Sequence, residues 1–148
     1  MVKKLTELGE FGLIERIKKS VKYKGRDVIY GIGDDAAVLR HTKDKYLLFC
    51  SDMLIEDVHF RRKDATGFQI GRKALGVNLS DIAAMGGVPK YCVVSLGIPK
   101  GLSVRFLDGF YRGLNSIARR FSVSVVGGDT NRSDSFIVDV ALIGETKK

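Results

Sequence analysis

Four short segments of the chain carry carboxylate or amide groups beside glycines or at the ends of apolar runs. They are residues 31–35 (GIGDD), 50–52 (CSD), 77–81 (VNLSD) and 126–130 (VGGDT). Hard oxygen ligands of this kind suit Mg²⁺, which commonly keeps part of its coordination for the phosphates of a substrate. The chain has 25 Lys and Arg against 17 Asp and Glu, a net charge of +8, which favours anionic partners. Together the four segments predict a pocket that holds several Mg²⁺ ions and a polyphosphate.

Each segment taken alone allows a second interpretation. Residues 31–35 are also typical of a solvated turn, because Gly and Asp are common turn residues. Asp52 follows an apolar run. A carboxylate at this point could belong to a ligand site at the carboxyl end of a strand, or it could cap the next segment. Asp129 follows two glycines, which fits a phosphate-binding loop or a hairpin turn. For Asp81 the functional interpretation is favoured over a structural one, because a carboxylate on a mostly apolar helix is costly unless it is paired or bound to a metal.

Hydrophobic periodicity assigns these segments to elements of secondary structure. It predicts helices over residues 11–21, 68–85 and 103–121, and strands over residues 28–30, 36–39, 46–51, 91–97, 122–126 and 136–143. Strands and helices do not alternate as they do in a doubly wound sheet. The prediction is therefore an α+β fold, with helices layered on a mixed β-sheet. Residues 1–148 are predicted to form one domain.

Several classes of protein fit the sequence poorly. It contains no Walker-type Gly-Lys-Ser/Thr sequence, no kinase catalytic-loop signature and no nucleophile elbow, so a P-loop enzyme, a protein kinase and a serine hydrolase are disfavoured. The longest apolar run, residues 91–98, is far shorter than the roughly 20 residues of a membrane span. Cys50 and Cys92 lie in apolar stretches without the spacing of a disulfide or zinc scaffold. We predict a soluble, cytoplasmic protein that binds neither membranes nor nucleic acid.

Five motifs occur in a fixed order along the chain: residues 9–14 (GEFGLI), 31–38 (GIGDDAAV), 51–60 (SDMLIEDVHF), 73–87 and 127–130. In order and spacing they resemble thiamine-monophosphate kinase, in its N-terminal, ATP-binding domain of the type shared with aminoimidazole ribonucleotide synthetase. The resemblance implies an enzyme that moves the γ-phosphoryl group of ATP onto thiamine monophosphate, giving thiamine diphosphate. Because the acceptor is already an anionic phosphate, the implied catalysis is positioning and charge neutralisation by several Mg²⁺ ions, with no strong general base.

The resemblance also implies roles for individual residues. The implied metal positions are Asp35, Cys50, Ser51, Asp52, Asp81 and Asp129, with Asp34 as an adjacent carboxylate. His59 matches a substrate-contacting histidine, and Tyr111, Gly128 and Asp129 match the nucleotide site. Members of this fold pair through their sheets, which implies a homodimer.

The sequence departs from the family pattern at three points. Cys50 stands where Ser or Thr is usual, so a metal contact there would come from the backbone carbonyl. Asp57 stands where Gly is usual, which adds a negative charge and stiffens the loop before His59. Family members also carry a C-terminal domain of similar size, with another metal-binding aspartate and part of the thiamine site. The 148 residues are predicted to leave no room for it.

Three other functions stay open on the sequence. ATP-dependent enzymes of the selenophosphate synthetase, hydrogenase-maturation and purine-synthesis types share the aspartate-bearing elements, although residues 10–14 and 58–60 favour the thiamine branch. A non-catalytic nucleotide-binding or dimerisation module is the second, since the alternating residues 136–143 could pair between copies. Nucleic-acid binding rests on charge alone, without interleaved aromatic and basic residues, and ranks last.

Overall fold

Three helices and six strands form in the residues that the structure describes. It is a computed structural model that describes Leu5, residues 8–23 and residues 25–148. In chain order the elements are α1 (Gly9–Ser20), β1 (Val28–Tyr30), β2 (Ala37–Arg40), β3 (Lys45–Ile55), α2 (Gly67–Ala84), β4 (Val88–Pro99), α3 (Val104–Arg120), β5 (Ser124–Ser133) and β6 (Ile137–Lys147).

The six strands form one mixed sheet in the order β1-β2-β3-β6-β4-β5. Neighbouring strands are antiparallel except β4 and β5, which are parallel. At the centre, β3 and β6 pair along the whole of both strands, from Lys45 opposite Lys147 to Ile55 opposite Ile137. Helices α2 and α3 cover one face of this sheet. The predicted α+β class, with helices layered on a mixed sheet, is confirmed.

The hydrophobic core lies between the sheet and helices α2 and α3. Successive side chains of a strand point to opposite faces, so β6 alternates fully buried residues such as Val140 and Leu142 with partly exposed ones. Phe136, just before β6, packs edge-on against Phe106 and Phe110 of α3, with ring centroids 5.5 and 5.6 Å apart. Burial of this aromatic group anchors α3 to the central strand.

The three predicted helices form close to their predicted positions. A capping box between Thr66 and Gln69 begins α2, and Gly86, with a φ of 65°, follows its end. Helix α1 forms without burying any side chain, and Phe11 is 82% exposed. In the part of the chain that the structure describes, no helix is long and apolar enough to cross a membrane.

Helices α2 and α3 run in the same direction and touch along a line of glycines. A Cβ at Gly67 would collide with the backbone of Phe106, and one at Gly71 with the backbone of Phe110. The contacts advance together along both helices, which shows that the helices are parallel. A Cβ at Gly113 of α3 would likewise collide with the backbone of α2. The close contact places the N-termini of the two helices side by side.

Exchanging Gly71 for alanine is expected to destabilise the fold, because the new methyl group must displace the backbone of Phe110. Overpacking of this kind typically costs about 1–3 kcal/mol. Gly76 in the same helix is the matched control, since its Cβ would meet only the Cδ1 of Ile117 at 3.7 Å. Gly76→Ala should stabilise by about 0.5–1 kcal/mol, because alanine is the better helix former. Denaturant unfolding of both variants measures the difference, and a Gly71→Ala protein as stable as wild type would contradict this packing.

The structure corrects the predicted ends of the strands. The strand predicted over residues 46–51 continues to Ile55, so Asp52 lies inside β3 and not after its carboxyl end. Likewise, Gly128 and Asp129 lie inside β5, parallel to β4, and not in a turn. The physical reason is pairing: the neighbouring strands β6 and β4 continue past the apolar runs, and their backbone hydrogen bonds extend β3 and β5 through polar residues.

Candidate functional site

The first acidic segment forms a turn that leads into β2. The hydroxyl of Tyr23 accepts a hydrogen bond from the backbone N–H of Ile32 at 2.8 Å. Gly31 makes room for this contact, because a Cβ there would collide with the Tyr23 ring. Asp34 accepts a hydrogen bond from the backbone N–H of Asp35 at 3.0 Å. The Asp34 side chain is therefore engaged in a hydrogen bond within the turn. The Asp35 side chain, at the end of the turn, is exposed and free to bind a ligand.

Asp35, Asp52 and Asp81 converge at the edge of the helix-covered face of the sheet, and we call them the carboxylate cluster. Asp52 lies two residues after the buried Cys50 on β3, so both side chains point towards α2. Burial, together with the charges of Asp52 and Asp35 and a hydrogen bond with Asp52, raises the pKa of Asp81. Three segments that are distant in sequence therefore bring carboxylates of the same charge together.

The carboxylate cluster has no ion-pair partner among the residues that the structure describes. Among the same residues, no group of three or more His, Cys, Asp or Glu side chains is arranged closely enough to hold a metal ion by itself. Neighbouring carboxylates disfavour each other's ionised form, and a bound cation relieves that repulsion. Mg²⁺ typically takes one or two carboxylates and completes its shell with water and phosphate oxygens. The donor set therefore fits Mg²⁺ shared with a phosphate ligand.

Cys50 and Asn78 form a buried polar contact beside the cluster. Asn78 is fully buried on α2, and its side-chain amide donates a hydrogen bond to the carbonyl oxygen of Ala74 at 3.1 Å. The Sγ of Cys50 lies 3.7 Å from both the carbonyl oxygen and the Oδ1 of Asn78. Burial and the charges of Asp81 and Asp52 raise the pKa of the Cys50 thiol to about 12. The thiol stays protonated, which leaves the backbone carbonyl as the oxygen that this residue can offer to a metal.

Ser51 directs its side chain to the opposite face of the sheet. Its hydroxyl donates a hydrogen bond to the Oδ1 of Asp139 on β6 at 2.9 Å. The Ser51 side chain is therefore separated from the carboxylate cluster by the strand itself. Asp139 was not among the predicted site residues, because in the sequence it is simply one polar position of an alternating strand. Its contact with Ser51 depends on the register of β3 and β6, which no local motif reports.

Tyr111, Gly128 and Asp129 line one pocket of about 250 Å³, which we call the β5 pocket. Only glycine fits at position 128, because a Cβ there would collide with the carbonyl oxygen of Val94. Asp129 accepts a hydrogen bond from the side-chain amide of Asn131 at 2.6 Å. Tyr111 is partly buried on α3, and that burial raises the pKa of its phenol. The three residues implied to contact a nucleotide are thus neighbours in the fold.

The β5 pocket and the carboxylate cluster lie along one row of the sheet. Asp52 pairs with Val140, Val140 with Val94, and Val94 with Gly128. Three strand spacings of about 4.8 Å place Asp52 about 14 Å from Gly128. Asp129 follows Gly128 on β5 and lines the β5 pocket, so the structure groups it with that pocket and not with the carboxylate cluster.

His59 lies in the loop that joins β3 to α2, outside both groups. Its Nδ1 accepts a hydrogen bond from the backbone N–H of Ile55 at 2.9 Å, and its carbonyl oxygen accepts one from Lys73. With Nδ1 used as an acceptor, the neutral ring carries its proton on Nε2, which can donate to an anion. Asp57 in the same loop has a φ of 63°, in the left-handed region that favours glycine. The residue that departs from the family pattern therefore occupies a strained backbone position.

The fold and these groups of residues define the class to which the protein belongs. The model of the family described as AIR synthase related protein, N-terminal domain, matches residues 33–146. The chain belongs to this family.

The chain is also similar to individual proteins over most of its own length. The chain is 40% identical over 143 residues to a thiamine-monophosphate kinase of Bacillus subtilis, covering 95% of this chain and 43% of that protein. It is also 40% identical over 145 residues to one of Aquifex aeolicus, covering 98% of this chain and 45% of that protein. A solved structure of AaThiL complexed with AMPPCP and TMP matches with a TM-score of 0.90 and 38% identity, covering 100% of this chain and 45% of that one. The chain spans less than half the length of these relatives.

Proposed function

We propose that this chain is the nucleotide- and metal-binding half of a thiamine-monophosphate kinase, which transfers the γ-phosphoryl group of ATP to the phosphate of thiamine monophosphate. The observation that carries the proposal is the convergence of Asp35, Asp52 and Asp81, without an ion-pair partner among the described residues. The matches to thiamine-monophosphate kinases support the reaction, and the AaThiL complex with AMPPCP and TMP supports the two substrates.

The carboxylate cluster is proposed to hold the metal. Asp35, Asp52 and Asp81 would supply carboxylate oxygens, and the backbone at Cys50 and Ser51 would supply carbonyl oxygens. Asp129 is proposed as a further ligand from the side of the β5 pocket. When bound, Mg²⁺ neutralises the charge of the reacting phosphates. Because the acceptor is a phosphate oxygen, no side chain has to remove a proton from it.

The β5 pocket is proposed to hold the nucleotide. Val140 and Val94, which lie between this pocket and the carboxylate cluster in the sheet, are buried under the helices, so the triphosphate is proposed to approach the cluster outside that row. Gly128 keeps the backbone surface free of a side chain, and the Tyr111 ring offers an aromatic contact. His59 is proposed to donate from Nε2 to the phosphate of thiamine monophosphate.

We further propose a homodimer that pairs through the open face of the sheet, opposite helices α2 and α3. Large apolar side chains are exposed along that face on two strands, β3 and β4: Phe49, Met53, Tyr91 and Val93. Exposed apolar side chains of this kind are typical of an interface. Light scattering that gives the mass of a single chain at micromolar concentration would contradict the dimer.

The cytoplasm is the proposed location. Cys50 and Cys92 are both free and buried, and burial raises the pKa of the Cys92 thiol to about 11. Unoxidised cysteines are typical of a reducing compartment. Cell fractionation that recovers the protein outside the cytoplasm would contradict this location.

Calorimetric titration with ATP tests the metal-dependent site. We expect a large heat of binding in Mg²⁺ and a much smaller one in EDTA, because without the cation the carboxylate cluster repels the triphosphate. Equal heats in both buffers would show that binding does not use the cluster. No heat in either buffer would contradict a nucleotide site on this chain.

A further inference from the structure

We propose that a pocket between the N-termini of α2 and α3 binds a small ring-bearing molecule through its diphosphate group, at a site separate from the carboxylate cluster. The pocket has a volume of about 590 Å³, within the usual range for small-molecule sites of roughly 300–1,000 Å³. The side chains that decide its chemistry are Arg62, Lys63, Arg105, Arg112, Phe68 and Phe106. We call it the basic pocket.

The acidic charge next to this pocket is already neutralised. Asp64 lines the pocket and forms an ion pair with Arg61. Arg62 is the only one of the four pocket cations that is paired within the described residues, with its Nε 2.6 Å from the Oε1 of Glu56. Each of these two ion pairs has no net charge, so the net charge of the pocket comes from its three other cations.

Lys63, Arg105 and Arg112 carry that remaining charge. None of the three forms an ion pair with a residue that the structure describes. Cations that line one cavity repel one another, and an anion bound between them removes the repulsion. A diphosphate meets three cations better than a monophosphate does, because it carries more charge and more acceptor oxygens. The Arg side chains add bidentate geometry that suits phosphate oxygens.

The ends of two helices strengthen the same site. Thr66 caps α2 and Ser103 caps α3, and both residues line the basic pocket. Because the two helices are parallel and in close contact, their positive dipole ends lie together and act on the same ligand. The helix ends therefore add to the attraction that the three cations exert on an anion.

Aromatic side chains determine the second part of the ligand. Phe68, 42% exposed, and Phe106 lie in the lining of the same pocket. An apolar surface next to a cationic one fits a molecule that joins a planar ring to a diphosphate. The ligand class is therefore a diphosphate ester with an aromatic ring.

The basic pocket is distant from the carboxylate cluster. Gly67, in the pocket, and Asp81, in the cluster, are fourteen residues apart on α2, which is about 21 Å at 1.5 Å per residue. A ligand can therefore occupy the basic pocket without touching the cluster. The proposal does not depend on the reaction assigned to the rest of the chain.

Titration with inorganic pyrophosphate in EDTA and low salt tests the phosphate part. Wild type should bind pyrophosphate more tightly than inorganic phosphate, and Arg105→Ala and Arg112→Ala should each weaken binding about tenfold. Arg119→Ala is the matched control, because it removes the same charge from α3 outside the pocket and should change affinity less than about twofold. An equal loss with Arg119→Ala, or no saturable binding by a folded wild-type protein, would overturn the proposal.

Competition of ADP against bound pyrophosphate under the same conditions tests the ring, because ADP held in the β5 pocket does not displace pyrophosphate from the basic pocket. ADP should bind more tightly than pyrophosphate, and Phe68→Ala should remove that gain while leaving pyrophosphate binding unchanged. Phe68 is well exposed, so the variant is expected to fold, which thermal unfolding verifies. An affinity for ADP no higher than that for pyrophosphate, or a gain that survives Phe68→Ala, would overturn the ring-bearing ligand class.

Discussion

Replacing Asp81 with asparagine is expected to weaken ATP binding in Mg²⁺ by about tenfold or more, while the metal-free fold stays intact or becomes slightly more stable. Asparagine keeps the size of the side chain and removes the charge that attracts the cation. Burial and the charges of Asp52 and Asp35 raise the pKa of Asp81, so its ionised form is disfavoured in the folded protein. Removing that charge relieves repulsion within the carboxylate cluster.

Calorimetry in Mg²⁺ measures the affinity of the Asp81→Asn protein, and thermal unfolding in EDTA measures its stability. Asp108→Asn, an exposed position on α3, is the control and should leave both quantities unchanged. A variant that melts below wild type, and that Mg²⁺ does not rescue, would show that Asp81 is a structural partner and not a metal ligand.

The second large effect is expected at His59. In a fusion protein in which this chain replaces the matching segment of the Bacillus subtilis relative, His59→Ala should raise the KM for thiamine monophosphate about tenfold. The KM for ATP should change less than about twofold, because His59 lies in the β3–α2 loop, outside both the carboxylate cluster and the β5 pocket. Steady-state kinetics with each substrate varied in turn measure the two values.

His41→Ala is the matched control for that experiment. The chain has 2 histidines, and the His41 ring is exposed, with its Nε2 3.6 Å from Glu145 and away from the loop that holds His59. It should change neither KM. An equal rise of both KM values in the His59→Ala protein would indicate that the residue supports the site as a whole and does not contact the acceptor.

The helices could be predicted from local sequence because their signals are local. Gly86 and Gly87 end α2, and the apolar residues Phe106, Phe110 and Leu114 repeat at helical spacing along α3. The strand ends could not be predicted in this way. Polar residues such as Asp52 continue a strand when a neighbouring strand supplies hydrogen bonds, and that neighbour is distant in sequence.

The candidate site shows the same division between local and distant signals. The residue types of Asp35, Asp52 and Asp81 marked them as possible ligands, but their meeting depends on sheet register and on the packing of α2. The basic pocket was not predicted. Lys63 belongs to a charge run that resembles a solvated face, and Arg105 lies far along the chain, so only the parallel contact of α2 and α3 joins them.

Formation of thiamine diphosphate tests the proposed function most directly. The assay supplies ATP, thiamine monophosphate and Mg²⁺ to the fusion protein and, separately, to this chain alone. We predict turnover by the fusion protein and little or none by the chain alone, because transfer requires donor and acceptor to be held in line, and the chain covers only 43% of the Bacillus subtilis kinase. A folded fusion protein that binds ATP in Mg²⁺ but forms no thiamine diphosphate would contradict the proposed kinase and leave a nucleotide-binding module in its place.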